Sequence, residues 1–447
     1  MINSKPNPSA RKLAYQALYD ILEKGAYANI TLQHVFKTYS LIDEEAHLLT
    51  ELTYGVLRRY NYLMWVISRF SKVKVKKLHP SVRILICLGL YQLIYLDRIP
   101  ESAAVNECVK IAKKVTHKGN VGFINGILRN YIRNKEDVIL PCRENDPVLC
   151  DSLHWNEPEW LIQWWQKEFG ENLSARIFDA FNEIPQFIVR VNTLKISTEQ
   201  LIEKLHSNDI SAEKSHFIDD AIIITDGIRF IWKVIDEGLG YVQSISSMIP
   251  ARVLNPLPGE RVLDMCAAPG SKTTQLAVLM KNKGSIDAWD LYPHKIALIK
   301  KNAEKQGISI IHAGARNSSL PFSALKECYD KVLLDAPCSG LGVLGHKLEI
   351  RWRRTPDSMS DFPPIQKKLL ECAADYVKTG GVLVYSTCTL NPAENEDQIL
   401  EFLKKHPDFH PADFVLTGCK NSENGMATLW PFEMNSDGFF IARLKKE

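Results

Sequence analysis

Through about the first 135 residues, apolar side chains recur every third or fourth position, the spacing of helices that bury one face. Leu13, Ala14, Ala17, Leu18, Ile21 and Leu22 form one stripe; Leu48, Leu49, Leu52, Val56 and Leu57 form a second; Val82 to Leu96 forms a third. Glycine and proline are sparse until Ile99-Pro100, where one helix should stop. The pattern predicts a compact helical bundle. Pro141, Pro147 and Pro158 then mark a linker zone. After it, Glu159 to Gly170 reads as an amphipathic segment whose Trp160, Trp164 and Trp165 are packing residues. Strand-like runs at Phe187–Val191 and Ala221–Ile224, with a helix near Thr198 to Leu205, predict a small α+β module.

From Arg261 the period changes to strand followed by helix. Val262-Leu263-Asp264 leads into a helix at Lys272 to Met280, and Ser285 to Asp290 into one at Lys295 to Gln306. Ile308 to Ile311, Lys331 to Leu334, a helix at Ile365 to Val377 and Gly381 to Val384 continue the series. Such alternation predicts an α/β fold with a doubly wound, mostly parallel sheet. A closing hairpin is expected from Phe414–Leu416 and Phe439–Ala442. The expected domains are 1–138 (helical), 139–240 (a linker helix and a small α+β, ferredoxin-like module) and 241–447 (the doubly wound domain).

At 447 residues and 45% hydrophobic content the chain is large enough for two or three cores. No apolar run approaches the ~20 residues of a membrane helix, and the start at Met1 lacks the apolar core of a signal peptide. Ten cysteines without a C-x-x-C pair argue against a zinc ribbon or a disulfide framework. A cytoplasmic protein with reduced thiols and no metal is expected. The net charge of +3 conceals a polarity: residues 1–140 hold 21 Lys+Arg against 11 Asp+Glu, so +10 stands against −7 in the remainder. Arg58-Arg59, Lys72 to Lys77 and Lys113 to Lys118 are the basic clusters, suited to docking a polyanion such as RNA.

Candidate chemistry gathers at strand C-termini, where open α/β sheets bind ligands. Asp264-Met265-Cys266-Ala267-Ala268-Pro269-Gly270-Ser271-Lys272-Thr273 fills the first strand-to-helix turn. Its small residues let the backbone approach a ligand, and the helix start favours a negative group. It is neither a G-x-G-x-x-G nor a Walker A loop, which disfavours a dinucleotide or a triphosphate. Asp290, at the end of the second strand, is placed to bind ribose hydroxyls. A nucleoside without pyrophosphate fits, and S-adenosyl-L-methionine is the expected cofactor. Cys338 in Asp335-Ala336-Pro337-Cys338-Ser339-Gly340 and Cys388 in Ser386-Thr387-Cys388-Thr389 each follow an apolar strand. Two thiols on one rim suggest covalent catalysis. Cys87, Cys108, Cys142, Cys150, Cys328, Cys372 and Cys419 lack chemical context and read as packing residues.

The cofactor loop, the Pro-Cys motif and the Thr-Cys motif together resemble the RsmB/Sun (NOP2/Sun) RNA cytosine methyltransferases. So do Arg190-Val191-Asn192, Glu349-Ile350-Arg351-Trp352, Asn391 to Glu396 and Asp437-Gly438-Phe439-Phe440. Phe123 to Arg129 resembles the closing helix of NusB-like RNA-binding domains. The resemblance implies a Rossmann-like class I methyltransferase domain behind a NusB-like bundle. It also implies a monomer that makes 5-methylcytosine, most naturally in 16S rRNA; tRNA, or a non-catalytic RNA-binding assembly factor, are the alternatives. Carried over by motif, Cys388 attacks carbon 6, Asp335 serves the ring nitrogen, Cys338 helps remove the carbon 5 proton, and Lys272 orients substrate or cofactor. Cofactor contacts fall to Cys266, Ala267, Ala268, Pro269, Gly270, Lys272, Asp290, Asp335 and Pro337. Three positions depart from the family pattern: Ser244 and Gly314 each stand where an Asp is usual, and Gly345 to Leu348 replaces a stretch with paired arginines and a proline. The lost arginines imply altered RNA contacts, although Lys347, Arg351, Arg353 and Arg354 keep that segment basic.

Overall fold

Helices Ala10–Lys24, Asp43–Arg58 and Pro80–Tyr95 carry the three apolar stripes, and four further helices up to Arg133 complete the bundle. Pro80–Tyr95 is its axis: every residue from Ile84 to Gln92 is buried. Helices cross closely on it because Gly55 and Gly89 carry no side chain; a Cβ on Gly55 would lie 2.1 Å from the Tyr91 ring. The structure is a computed structural model that describes residues 8–227, 231–418 and 421–447. The chain start and Cys419 therefore lie outside the described residues.

The chain gathers into two compact units, one ending at Asn182 and including Lys347–Arg354, the other formed by Glu183–His346 and Thr355–Glu447. In the first, helices Pro147–Trp155 and Glu159–Asn182 join the bundle, where the Asn61 amide donates to Ser152 O and Glu157 O. The Trp-rich segment runs past Gly170, where the backbone kinks, on to Asn182. Trp165 is buried against Phe178, while Trp160 and Trp164 are half-buried.

In the Lys347–Arg354 segment, two of the basic residues, Arg351 and Arg353, turn to protein partners. Arg351 has no exposed surface; its Nε lies 2.9 Å from Glu157 Oε1, equally buried, and its Nη2 donates to Phe181 O. Arg353 donates to Ile21 O and Ala26 O and lies over the Tyr27 ring. These two arginines tie a strap into the helical unit, and their guanidinium groups are spent on protein partners. Burial pushes the Glu157 carboxyl up to about 7, against the opposing pull of Arg351.

In the second unit, β1 (Phe187–Val191), β2 (Ala212–Lys214), β3 (Ala221–Ile224) and β4 (Gly240–Val242) form an antiparallel sheet ordered β2-β3-β1-β4. The larger sheet contains β5 (Arg261–Asp264), β6 (Ser285–Asp290), β7 (Ile311–Ala315), β8 (Tyr329–Asp335), β9 (Val377–Thr387), β10 (Phe409–Pro411), β11 (Met426–Leu429) and β12 (Phe439–Lys446). Its order is β10-β12-β9-β8-β5-β6-β7, parallel from β9 to β7, with β12 antiparallel to β9 and paired also with β11. Val262, Leu263, Val332, Leu333, Leu383 and Val384 are all buried, as expected of strands covered by helices on both faces.

Two expected strands differ. The third strand starts at Ile311, since Gly307 (φ 73°) ends the preceding helix and the Ile308 amide donates back to Ala303 O, a left-handed helix cap. Phe414–Leu416 forms no strand. Phe414 and Leu416 are buried and Val415 is 81% exposed, so the alternation is one of burial alone, and β12 pairs with β9, β10 and β11 instead.

Candidate active site

The strand order reverses between β6 and β8, on either side of β5, and a crevice opens at such a reversal beyond the strand C-termini. The loop after β5 carries the predicted cofactor residues. Gly270, at φ 101°, turns the chain into helix Ser271–Leu279; a Cβ there would come 3.2 Å from Ile299 Cα, so only glycine fits without a shift. Asp264 is buried, accepts a hydrogen bond from Thr273 Oγ1 at 2.7 Å, and leaves Oδ1 without a partner among the described residues. Burial pushes its carboxyl up to about 7. Asp290 ends β6, 8% exposed, with Oδ1 accepting from the Tyr292 amide at 3.0 Å. A tight loop of small residues, a helix start, an unpartnered buried oxygen and a strand-end carboxylate fit a nucleoside sulfonium amino acid. Cys266 is half-buried in this loop, where burial pushes its thiol up.

The opposite wall is built by register. Asp335 of β8 stands beside Ser386 of β9, and the Ser386 hydroxyl donates to Asp335 Oδ1 at 2.8 Å. Lys272 reaches across from the cofactor helix to Asp335 Oδ2 at 2.7 Å and lies 5.2 Å from the Phe439 ring centre. Asp335 is therefore held by an ammonium and a hydroxyl. Two residues past Ser386, Cys388 meets Cys338: their sulfurs lie 3.3 Å apart, in a thiol–thiol hydrogen bond that either can donate. The Cys338 thiol is pushed well up, first by that bond and then by its removal from water. Gly342 donates to Cys388 O at 2.9 Å and accepts from the Gly438 amide at 2.7 Å, so the closing Asp-Gly-Phe-Phe segment braces the same loop. Pro337 is exposed, and its carbonyl accepts from Gln366 Nε2.

Several motif residues that carried no role in the sequence reading prove to be positioning groups. Arg190, 1% exposed, donates to Gln243 Oε1, to Ser271 O at 2.6 Å and to Thr274 Oγ1 at 2.9 Å, locking the small module to the cofactor helix. Burial lowers its guanidinium to about 10. His346 Nδ1 lies 2.7 Å from Asp437 Oδ1. Their polar chemistry beside apolar strands was the available signal. Of the cysteines read as packing residues, Cys87, Cys108 and Cys372 are buried, whereas Cys142 is exposed and Cys150 and Cys328 are half-buried. Among the basic clusters, Lys72, Lys74, Lys76, Lys77, Lys113, Lys114 and Lys118 are exposed, while Arg58 and Arg59 are half-buried, Arg59 over the Tyr95 ring.

A parallel sheet that reverses at a small-residue loop, with a Lys–Asp pair and two touching thiols on its rim, defines a Rossmann-like methyltransferase domain. Comparison with known proteins narrows the class. Residues 251–445 match the 16S rRNA methyltransferase RsmB/F model, residues 8–133 the NusB family, and residues 157–230 the RsmF/B-like ferredoxin-like domain. The probable ribosomal RNA small subunit methyltransferase B of Bacillus subtilis (strain 168) is 37% identical over 98% of this chain and 99% of its own length. The crystal structure of PH0851 covers 99% of this chain and 100% of that one at 27% identity and a TM-score of 0.86. A methyltransferase homolog protein from Pyrococcus horikoshii, 31% identical with a TM-score of 0.56, covers 68% of this chain and 99% of that one. The chain belongs to the RsmB/F family of rRNA methyltransferases.

Proposed function

We propose that this protein is an S-adenosylmethionine-dependent methyltransferase that makes 5-methylcytosine in 16S rRNA, acting as a cytoplasmic monomer through a covalent cysteine adduct. The observation that carries the reading is the 3.3 Å contact between Cys338 and Cys388 beside the Lys272–Asp335 pair. Ala267, Ala268, Pro269 and Gly270 would hold the amino-acid end of the cofactor, and Asp290 would accept from its ribose hydroxyls. The bound cofactor supplies an electrophilic methyl group.

Cytosine carbon 5 is a weak nucleophile. Addition of the Cys388 sulfur at carbon 6 moves electron density onto carbon 5 and the ring nitrogen. Lys272 Nζ and Asp335 Oδ2 lie 2.7 Å apart, and this ion pair is suited to deliver a proton to that nitrogen as charge develops. After methyl transfer, Cys338 gives up to solvent the proton it shares with Cys388 and then takes the carbon 5 proton, the carbon 5–carbon 6 double bond re-forms, and the Cys388 sulfur leaves as a thiolate. The exposed lysines of the helical unit supply phosphate contacts, which makes binding salt-dependent.

Methyl transfer from labelled cofactor to 16S rRNA tests the reading. Cys388→Ala should abolish transfer, and Cys338→Ala should accumulate a protein–RNA adduct that survives denaturing electrophoresis. Transfer that persists in Cys388→Ala would rule it out.

A further inference from the structure

The turn after the Thr-Cys strand buries an acid that has no part in the cycle above. Glu394 has no exposed surface. Its Oε2 accepts from the Ser339 amide at 2.8 Å and from Gln366 Nε2 at 2.9 Å, and its Oε1 accepts from Asn391 Nδ2 at 2.9 Å. Three neutral donors therefore converge on the two acceptor oxygens of this side chain.

Both cysteine loops hang on this turn. Ser339 follows Cys338, and its hydroxyl lies 2.7 Å from that of Thr389, which follows Cys388. Asn395, 1% exposed, accepts from Thr387 Oγ1 at 2.5 Å and donates to Thr389 O at 3.0 Å. The acid and the amide thus grip the residue after one thiol and both residues flanking the other.

We propose that Glu394 is a positioning residue for the thiol pair: it fixes the backbone behind Cys338 at the observed sulfur separation, and its charge keeps the shared proton on Cys338, leaving Cys388 as the nucleophile. The titratable and charged groups facing Cys338 are Cys388, Glu394, Tyr385 (whose hydroxyl donates to Glu394 O at 2.6 Å) and, one strand-end away, the Lys272–Asp335 pair. A fixed negative charge disfavours a second anion beside it. The Cys338 thiol is pushed up accordingly, by the Cys388 bond and burial first and by Glu394 in addition.

The proposal takes its meaning from the covalent reading above, yet its test needs neither RNA nor cofactor. In full-length protein carrying Cys388→Ser, the rate of Cys338 alkylation by iodoacetamide is followed against pH and located by peptide mass spectrometry. Adding Glu394→Gln should move the midpoint of that profile downward by about one pH unit or more. An unmoved midpoint in a folded double variant overturns the proposal, whatever the methyl-transfer assay gives. Should Glu394→Gln fail to fold, hydrogen exchange in the unsubstituted protein decides. The Ser339 amide, bonded to Glu394, should exchange at least about a hundredfold more slowly than an unbonded loop amide. Exchange at the unbonded rate overturns the proposal.

Discussion

Arg351 and Glu157 allow a stability prediction whose size and pH dependence both come from the structure. Both side chains are fully buried, 2.9 Å apart, in the helical unit. Arg351→Met keeps most of the volume and removes the charge. The lost bond from Nη2 to Phe181 O costs about 1 kcal/mol at any pH. The remaining cost depends on Glu157, whose carboxyl burial already pushes up to about 7 and which Arg351 alone pulls down. A group with its folded pKa raised contributes stability below its unfolded value, here 4.5, and loses it as pH rises through the folded value. Without Arg351 the folded value climbs further, so the variant continues to lose stability above 7 where the parent levels off. The difference grows by ~1.4 kcal/mol per pH unit. The variant should therefore lie about 1 kcal/mol below the parent at pH 6 and about 3 kcal/mol below it at pH 8.5, near the ~3–5 kcal/mol typical of a broken buried pair. Six of the nine tryptophans lie in this unit, so fluorescence during urea unfolding reports on it. Glu157→Leu combined with Arg351→Met should remove the pH dependence and recover most of the loss. Equal destabilisation at the two pH values, or a double variant no better than the single, would refute the reasoning.

The catalytic and cofactor walls give three more expectations. Lys272→Met should lower methyl transfer about a hundredfold, and should also slow adduct accumulation in the Cys338→Ala background; a change within about threefold counts against the Lys–Asp pair. Asp264→Asn should flatten the pH dependence of thermal stability: the raised carboxyl adds stability at low pH that is lost between 3.8 and about 7, at ~1.4 kcal/mol per unit, and identical slopes for parent and variant would contradict this. A Cβ on Gly314 would meet nothing within 4 Å, so Gly314→Asp has room for the carboxylate usual at this position. It should tighten S-adenosylhomocysteine binding by about tenfold or more in calorimetry, and unchanged affinity would place adenine recognition elsewhere.

The parallel sheet and the helical stripes were legible in the sequence because burial on one face imposes a period, and period survives without knowledge of neighbours. The two cysteine motifs were legible because each ends an apolar run. Arg351 and Arg353 were not: a basic segment looks alike whether it faces a phosphate or a buried glutamate 194 residues earlier in the chain, as Glu157 stands to Arg351. Phe414–Leu416 misleads for a related reason, since alternating burial needs a core on one side and no ladder on the other. Arg190 and Glu394 lay inside recognised motifs, but their partners come from distant segments such as Ser271 and Ser339, and only the fold supplies those.

The 50-residue gap between the cysteines becomes a 3.3 Å contact through one quantity, the register of β9 on β8. Asp335 opposite Ser386 sets the phase, and Cys388 lies in the bend one residue past the end of β9, so the register carries it to the strand end that holds Asp335. A slip of one residue would turn Ser386 to the opposite face, removing its hydroxyl from Asp335 and displacing the bend that brings Cys388 to Cys338. Leu383, Val384 and Tyr385 of β9 are completely buried, so a slip would also force side chains on both faces to repack. The packing of an apolar strand and the pairing of the two motif thiols are thus one constraint. A core substitution in β9 should accordingly register first as a change in the thiol contact, before any loss of fold.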